Sequence, residues 1–217
     1  MKKISLAFAA AVMLLNLTVY SQTKSNQKVV KFVIKTEYGE MKGFLYNETP
    51  QHRDNFVKLA STGFYDGTLF HRVIDGFMIQ GGDPDSKNAK PGQSLGMGGP
   101  GYTVPAEFNP MFIHKKGALA AARTGDAANP KKASSGSQFY IVQGKPVSTT
   151  QLKGNYTPDQ IKTYEKVGGT PFLDTQYTVY GEITEGLDVI DKIAKAPKNQ
   201  SDRPNTDIKM TVKILEK

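Results

Sequence analysis

Along this chain the apolar positions change period several times, and each change marks an element. In KVVKFVIKTEYGEMKGFLY, Val30, Phe32 and Ile34 alternate with Lys31, Val33 and Lys35 until Tyr38 and Gly39 turn the chain, which is a β-hairpin signal. The next stretch, TPQHRDNFVKLASTG, moves to helical spacing. Thr49 stands as N-cap, Pro50 takes the first helical position, Phe56, Leu59 and Ala60 share a face, and Gly63 stops the helix. Leu69 to Gln80 is strand-like, and GDPDSKNAKPGQSLGMGGPGYTVPAEF is a long Gly- and Pro-rich loop. Strand signals return at Ala118 to Ala122, Gln138 to Val142 and Tyr177 to Ile183. EGLDVIDKIAKAP then places Leu187, Ile190, Ile193 and Ala194 at helical spacing before Pro197 ends it. In DIKMTVKILEK, Ile208, Met210, Val212 and Ile214 alternate with polar residues, the cleanest strand period in the chain.

Many strands, two helices and no βαβ rhythm predict a mainly antiparallel sheet that must protect its edges, and closure into a barrel does that. Residues 145–171 carry a helix signature of their own, with Thr157 as N-cap, Pro158 next, Gln160 at the third helical position and Gly168 after it. This region is too short to enclose a core and is expected to be an insert between strands of one domain, residues 29–217. No internal repeat is visible.

The chain has 217 residues and no cysteine, so its stability must come from the core. MKKISLAFAAAVMLLNLTVYSQ runs from Lys2 and Lys3 through an apolar stretch to small residues at Val19 and Ser21, which predicts a signal peptide over 1–21 followed by a flexible segment over 22–28. A membrane anchor is disfavoured, because a span needs about 20 apolar residues and this stretch already contains Asn16. An exported protein, periplasmic or secreted, is therefore expected, touching the membrane only through its transient signal. The formal charge of +8 falls to +6 once Lys2 and Lys3 are removed. Lys115–Lys116 and Lys131–Lys132 are pairs rather than runs, and no basic stripe is interleaved with aromatics, so nucleic acid is not expected as a partner.

Several motifs fail on context. Gly96, Gly98 and Gly101 match G-x-G-x-x-G, but Pro100 and Pro105 forbid the helix that would hold a pyrophosphate. His52, His71 and His114 lack the spacing of a metal site, and no metal is expected. Ser134, Ser135 and Ser137, considered beside His71, suggest a nucleophile, yet G-x-S-x-G is absent and the serines read first as turn chemistry. Asp83 and Asp85 read as a turn.

FHRVIDGFMIQGGD poses a sharper question. By alternation Phe70, Arg72 and Ile74 share a face, and a guanidinium seldom sits among apolar neighbours without a partner or a task. Taken with GMGG, GSQFYI and FLDTQYTVYGE, this motif strongly resembles the cyclophilins, the peptidyl-prolyl cis-trans isomerases, and the likeness runs from about Val29 to Ile214. The resemblance implies an all-β fold, a closed eight-stranded antiparallel barrel capped by two α-helices, with the active groove on its outside.

Residue by residue, the resemblance implies that Arg72 is the catalytic cation and that Phe77, Met78, Tyr140, Phe172 and Leu173 line a proline pocket. Gln80 and Gln138 would bind the substrate backbone, while Gly96 and the segment Ala122, Arg123, Thr124 would flank the residue before the proline. Rotation of an X-Pro bond surrenders amide resonance and makes no bond to carbon, so neither nucleophile nor cofactor is required. Departures from the family pattern are Phe172 where many members have tryptophan, Tyr177 where they have histidine, and Ala-Arg-Thr in place of Ala-Asn-Ala. Because Phe172 lacks an indole N–H, weakened binding of cyclosporin is expected, a point calorimetry would check. The expected partners are proline-containing segments of unfolded or flexible chains, met by a monomer that assists the folding of exported proteins.

Overall fold

The computed structural model describes residues 28–148, 150, 152 and 156–216. The expected signal peptide and nearly all of the segment after it lie outside these residues. The elements in chain order are β1 (Val30–Thr36), β2 (Gly39–Leu45), α1 (Pro50–Ser61), β3 (Phe70–Ile74), β4 (Met78–Gly81), β5 (Thr103–Val104), β6 (Ala118–Ala121), β7 (Ser134–Ser135), β8 (Phe139–Val142), α2 (Pro158–Val167), β9 (Val179–Glu185), α3 (Leu187–Ala194) and β10 (Thr211–Glu216). Short 3-10 turns cover Pro84–Ser86 and Pro171–Leu173.

Eight strands form one antiparallel sheet in the order β10-β1-β2-β9-β6-β8-β4-β3, with β5 and β7 paired apart from it. The expectation of a closed barrel is corrected here: the sheet curls strongly but is open, with β10 and β3 as its edges. The reason lies in the chain just before β10. Instead of a strand, an irregular segment holding Pro204 and a left-handed Asp202 (φ 63°) meets β3. It accepts from Val73 N–H at the Asp202 carbonyl and from Phe70 N–H at the Ile208 carbonyl, each at 2.9 Å. The exposed edge of β3 is thus satisfied without a ladder.

The inner face of the sheet buries Phe32, Ile34, Met41, Leu45, Ile79, Leu119 and Ile141, against which α1 packs Phe56 and Leu59 and α3 packs Val189, Ile190 and Ile193. Each such side chain contributes about 1.5 to 3 kcal/mol by leaving water, so this cluster is what holds the fold. Two helices were expected to cap the sheet, and α1 and α3 match them, with α2 arising from the 145–171 region.

Helix starts differ in how they are capped. Thr157 behaves as its neighbours predict: its hydroxyl accepts from Gln160 N–H, and the Gln160 side chain accepts from Thr157 N–H at 2.9 Å. Thr49 makes no cap hydrogen bond. The first amides of α1 donate instead to the Glu107 carboxylate, Gln51 N–H at 3.1 Å and His52 N–H at 2.9 Å, so a residue more than fifty positions away supplies the negative end that helix needs.

Candidate active site

The strand β3 answers the question raised by Arg72, with one correction. Phe70 pairs with Gly81 and Arg72 with Gln80, so one extra residue, His71, bulges out of the register. The bulge reverses alternation: Phe70 and Val73 enter the inner core, whereas Arg72 and Ile74 face outward. Phe70 therefore does not share the face of Arg72.

On that outer face the register lines up Arg72, Gln80, Tyr140 and Ala120 across β3, β4, β8 and β6. The Ile74–Phe77 turn, closed by a Phe77 N–H bond to the Ile74 carbonyl at 3.0 Å with Gly76 at φ 75°, brings Phe77 and Met78 to the same side. Together with Leu173 and Tyr177 these residues surround a cavity of about 110 Å³, lined by Arg72, Phe77, Met78, Gln80, Ala122, Arg123, Tyr140, Leu173 and Tyr177. Met78, Tyr140 and Leu173 belong to an apolar cluster of their own, separate from the main core.

Gln80, Ala122 and Arg123 continue into a groove of about 1210 Å³ that also takes in Gly96, Thr124 and Gln138. Counting Tyr177, also expected to bind substrate, twelve of the thirteen expected residues thus meet around one slot and groove. Phe172 lines neither. It is 70% exposed, its ring stacked on Phe77 at 5.8 Å between centroids, so it stands as an outer lip rather than a pocket wall.

The polar groups form a chain. Arg72 Nη1 donates to Gln80 Oε1 at 3.4 Å, Gln80 Nε2 to Gln138 Oε1 at 3.2 Å, and Gln138 Nε2 to the Gly98 carbonyl at 2.7 Å. Asp202 lies 3.9 Å from Arg72 Nε, too far for a hydrogen bond, and its carboxylate is bound at 2.7 Å by Lys198. With 42% of its side chain exposed, Arg72 keeps donors free at the edge of an apolar slot. Arg123 is held far more tightly. Its Nε donates to the Gln176 carbonyl at 3.0 Å, its Nη1 reaches Asp126 at 2.6 Å, and its guanidinium lies 4.4 Å over the Tyr177 ring. The two departures at 123 and 177 therefore brace each other.

The serines do not meet His71. Ser134 Oγ lies 2.9 Å from His52 Nε2, whose Nδ1 lies 2.6 Å from Glu107 Oε2. Acid, imidazole and hydroxyl stand in the order of a hydrolase triad, yet Ser134 and His52 are buried and the adjoining void is about 10 Å³. No substrate reaches that hydroxyl, and the trio ties α1 to β7. Burial pushes the His52 imidazole below its ordinary range, opposed by Glu107. The G-x-G-x-x-G segment is an irregular loop with Gly96 and Gly101 at positive φ and no helix following it. Among the described residues no group of three or more His, Asp or Glu side chains is placed to hold a metal.

Sequence reasoning missed the groups behind the slot. Asp174, next to Leu173, accepts from His114 Nδ1 at 2.7 Å, and His114 Nε2 lies 2.9 Å from the Tyr140 hydroxyl. The neighbourhood of Asp174 to the FL pair was the one available clue.

A curled antiparallel sheet with an apolar slot bordered by a part-exposed arginine on its outer face describes the class of fold and site. The comparisons make the class specific: the family model described as "Cyclophilin type peptidyl-prolyl cis-trans isomerase/CLD" matches residues 30–214, so the chain belongs to that family. A Staphylococcus saprophyticus protein named as a peptidyl-prolyl cis-trans isomerase is 36% identical over 203 residues, spanning 89% of this chain and 96% of its own. A Staphylococcus aureus protein of the same name is 37% identical over 190 residues, 84% of this chain and 89% of its own. A crystal structure of a Cryptosporidium parvum cyclophilin superposes with a TM-score of 0.67 at 26% identity, covering 88% of this chain and 99% of that one. A second structure, of that cyclophilin in the presence of the dipeptide Ala-Pro, gives 0.65 at 25% identity over 86% and 99%.

Proposed function

We propose that the protein is an exported peptidyl-prolyl isomerase in which Arg72 is the catalytic cation, and that it assists the folding of exported chains. The observation that carries the reading is Arg72 on the rim of the 110 Å³ slot with free donors. As an X-Pro amide twists, its nitrogen pyramidalises and gains a lone pair. A guanidinium N–H engages that lone pair in the twisted state and not in the planar one, which is the condition for acceleration. The proline ring would occupy the slot against Phe77, Met78, Tyr140 and Leu173, and the residue before it would lie along Gln80, Ala122 and Arg123.

One charge-assisted hydrogen bond is worth about 1.5 to 3 kcal/mol, or one to two powers of ten in rate. Orientation of the flanking chain by Gln80, Gln138 and the backbone of 122–124 supplies the rest. The related cyclophilin crystallised in the presence of Ala-Pro supports proline peptides as substrates. The apolar run of residues 4–17 behind Lys2 and Lys3 supports export, and the mature chain is read as a monomer that starts near residue 22.

The test is protease-coupled turnover of a proline tetrapeptide by the protein lacking residues 1–21. Arg72→Ala is expected to lose at least tenfold in kcat/KM, and Arg72→Lys not to restore it, because an ammonium lacks the planar fork. Equal rates for all three would reject the Arg72 mechanism, and negligible turnover by the wild type would leave only a proline-binding module. Recovery of the full-length product from the cytoplasm with residues 1–21 intact would overturn export.

A further inference from the structure

Two walls of the slot, Tyr140 and Leu173, meet behind it at a single carboxylate. Asp174 follows Leu173 in the chain, and its two oxygens are fully engaged. Oδ1 accepts from His114 N–H and lies against His114 Nδ1, both at 2.7 Å, while Oδ2 accepts from the Tyr156 hydroxyl at 2.9 Å and from the Tyr164 hydroxyl at 2.6 Å. Both tyrosines come from the 145–171 region, Tyr164 from α2, where with Ile113 it forms a satellite apolar cluster. The residue after Asp174, Thr175, is held at φ 60°, a conformation that a β-branched side chain adopts only when its neighbours impose it.

The partners set the direction of every proton. A carboxylate accepts, so in the neutral tautomer that Asp174 selects, His114 carries its proton on Nδ1 and offers a lone pair on Nε2. The Tyr140 hydroxyl must then donate to Nε2 at 2.9 Å, which turns it away from the slot and leaves the ring to face the substrate. Burial raises the Tyr140, Tyr156 and Tyr164 hydroxyls above the usual phenol range, with Asp174 acting in the same sense, so all three remain donors.

We infer that the 145–171 region is a positioning element for catalysis, acting through Tyr156 and Tyr164 on Asp174 and thence through His114 on Tyr140. This inference rests on the isomerase reading above. No residue of the relay other than Tyr140 touches the slot, so the region would set the shape of the proline site without contacting substrate.

The experiment compares the full-length protein with Tyr156→Phe/Tyr164→Phe, with Tyr140→Phe and with the triple combination. Removing the two hydroxyls keeps the rings and their packing, so a cooperative melt is expected together with a loss of about three- to tenfold in kcat/KM for a proline tetrapeptide, the factor one displaced hydrogen bond is worth. Added to Tyr140→Phe, the same pair is expected to cost less than twofold, since the end of the relay is already cut. Nitrogen-15 NMR of the His114 ring is expected to show the proton on Nδ1 in the wild type and a mixture of tautomers in the double variant. Wild-type kcat/KM in Tyr156→Phe/Tyr164→Phe, full additivity with Tyr140→Phe, or a proton on Nε2 would each overturn the inference. A wild-type protein without turnover would instead defeat the isomerase reading, and titration with a proline dipeptide, read beside the ring spectrum, would then carry the same comparison.

Discussion

Replacing Gln80 by Glu changes one amide to a carboxylate of the same shape, and the geometry of the slot makes its consequences large. Arg72 Nη1 sits 3.4 Å from Gln80 Oε1. At that separation a full opposite charge attracts the guanidinium by about 1 kcal/mol with bulk-water screening and about 5 kcal/mol at the effective dielectric of a protein surface. Arg72 is part exposed, so the lower half of that range applies. A second effect acts on the other side. Gln80 Nε2 donates to Gln138 Oε1 at 3.2 Å, and a carboxylate in its place would set two acceptors against each other. Gln138 must then turn its amide, which abandons its 2.7 Å bond to the Gly98 carbonyl. Both effects withdraw the cation from the peptide nitrogen and loosen the groove, while the fold, which rests on the inner face, is untouched. We expect Gln80→Glu to melt within a few degrees of the wild type and to lose roughly ten- to a hundredfold in kcat/KM in a protease-coupled assay, about 1.4 kcal/mol per power of ten. A folded variant within twofold of wild type would refute the idea that a free guanidinium beside the slot drives the reaction.

Stability offers two further tests. Glu107→Ala removes the acceptor for two amides of α1 and for His52, and a lost cap of about 0.5 to 2 kcal/mol plus a buried charge-assisted bond of about 1.5 to 3 kcal/mol predict a fall of about 2 to 5 kcal/mol in urea unfolding. A loss below about 1 kcal/mol would show that Thr49 or water caps the helix instead. His52 and His71 are both held below the ordinary imidazole range, chiefly by burial, against the opposing pull of Glu107 and Asp83 respectively. Among the described residues, neither ring nitrogen of His71 has a hydrogen-bond partner. The unfolded chain therefore binds protons that the native state refuses, so stability is fully present above about pH 6.5 and drains away as the pH falls below it, by at most about 1.4 kcal/mol per pH unit for each histidine. Urea midpoints at pH 7.5 and 5.5 measure this, and an equal or higher midpoint at pH 5.5 would contradict it.

Features whose cause lies within a few residues were readable from the chain alone. The Thr157–Gln160 capping box, the β1 strand and the spacing of Leu187, Ile190 and Ile193 in α3 all appear where the pattern places them, because side-chain period and cap chemistry act over one or two turns. The residues of the slot were also legible, although through family motifs and not through spacing. Periodicity failed at β3, where alternation assigned Phe70 to the face of Arg72, and one bulged residue undid it.

What the sequence determines by itself is local: which segments alternate, where helices begin and end, and which residue types are available for chemistry at an X-Pro bond. The tertiary structure decided the rest, and for one reason: hydrogen-bonding groups seek whichever partner the fold brings near. Glu107 caps α1 from fifty-odd residues away, the chain before β10 satisfies the edge of β3 and leaves the sheet open, and Asp174 gathers His114, Tyr156 and Tyr164 behind Tyr140. Those distances in sequence carry no periodic signal, so only the folded chain reveals them.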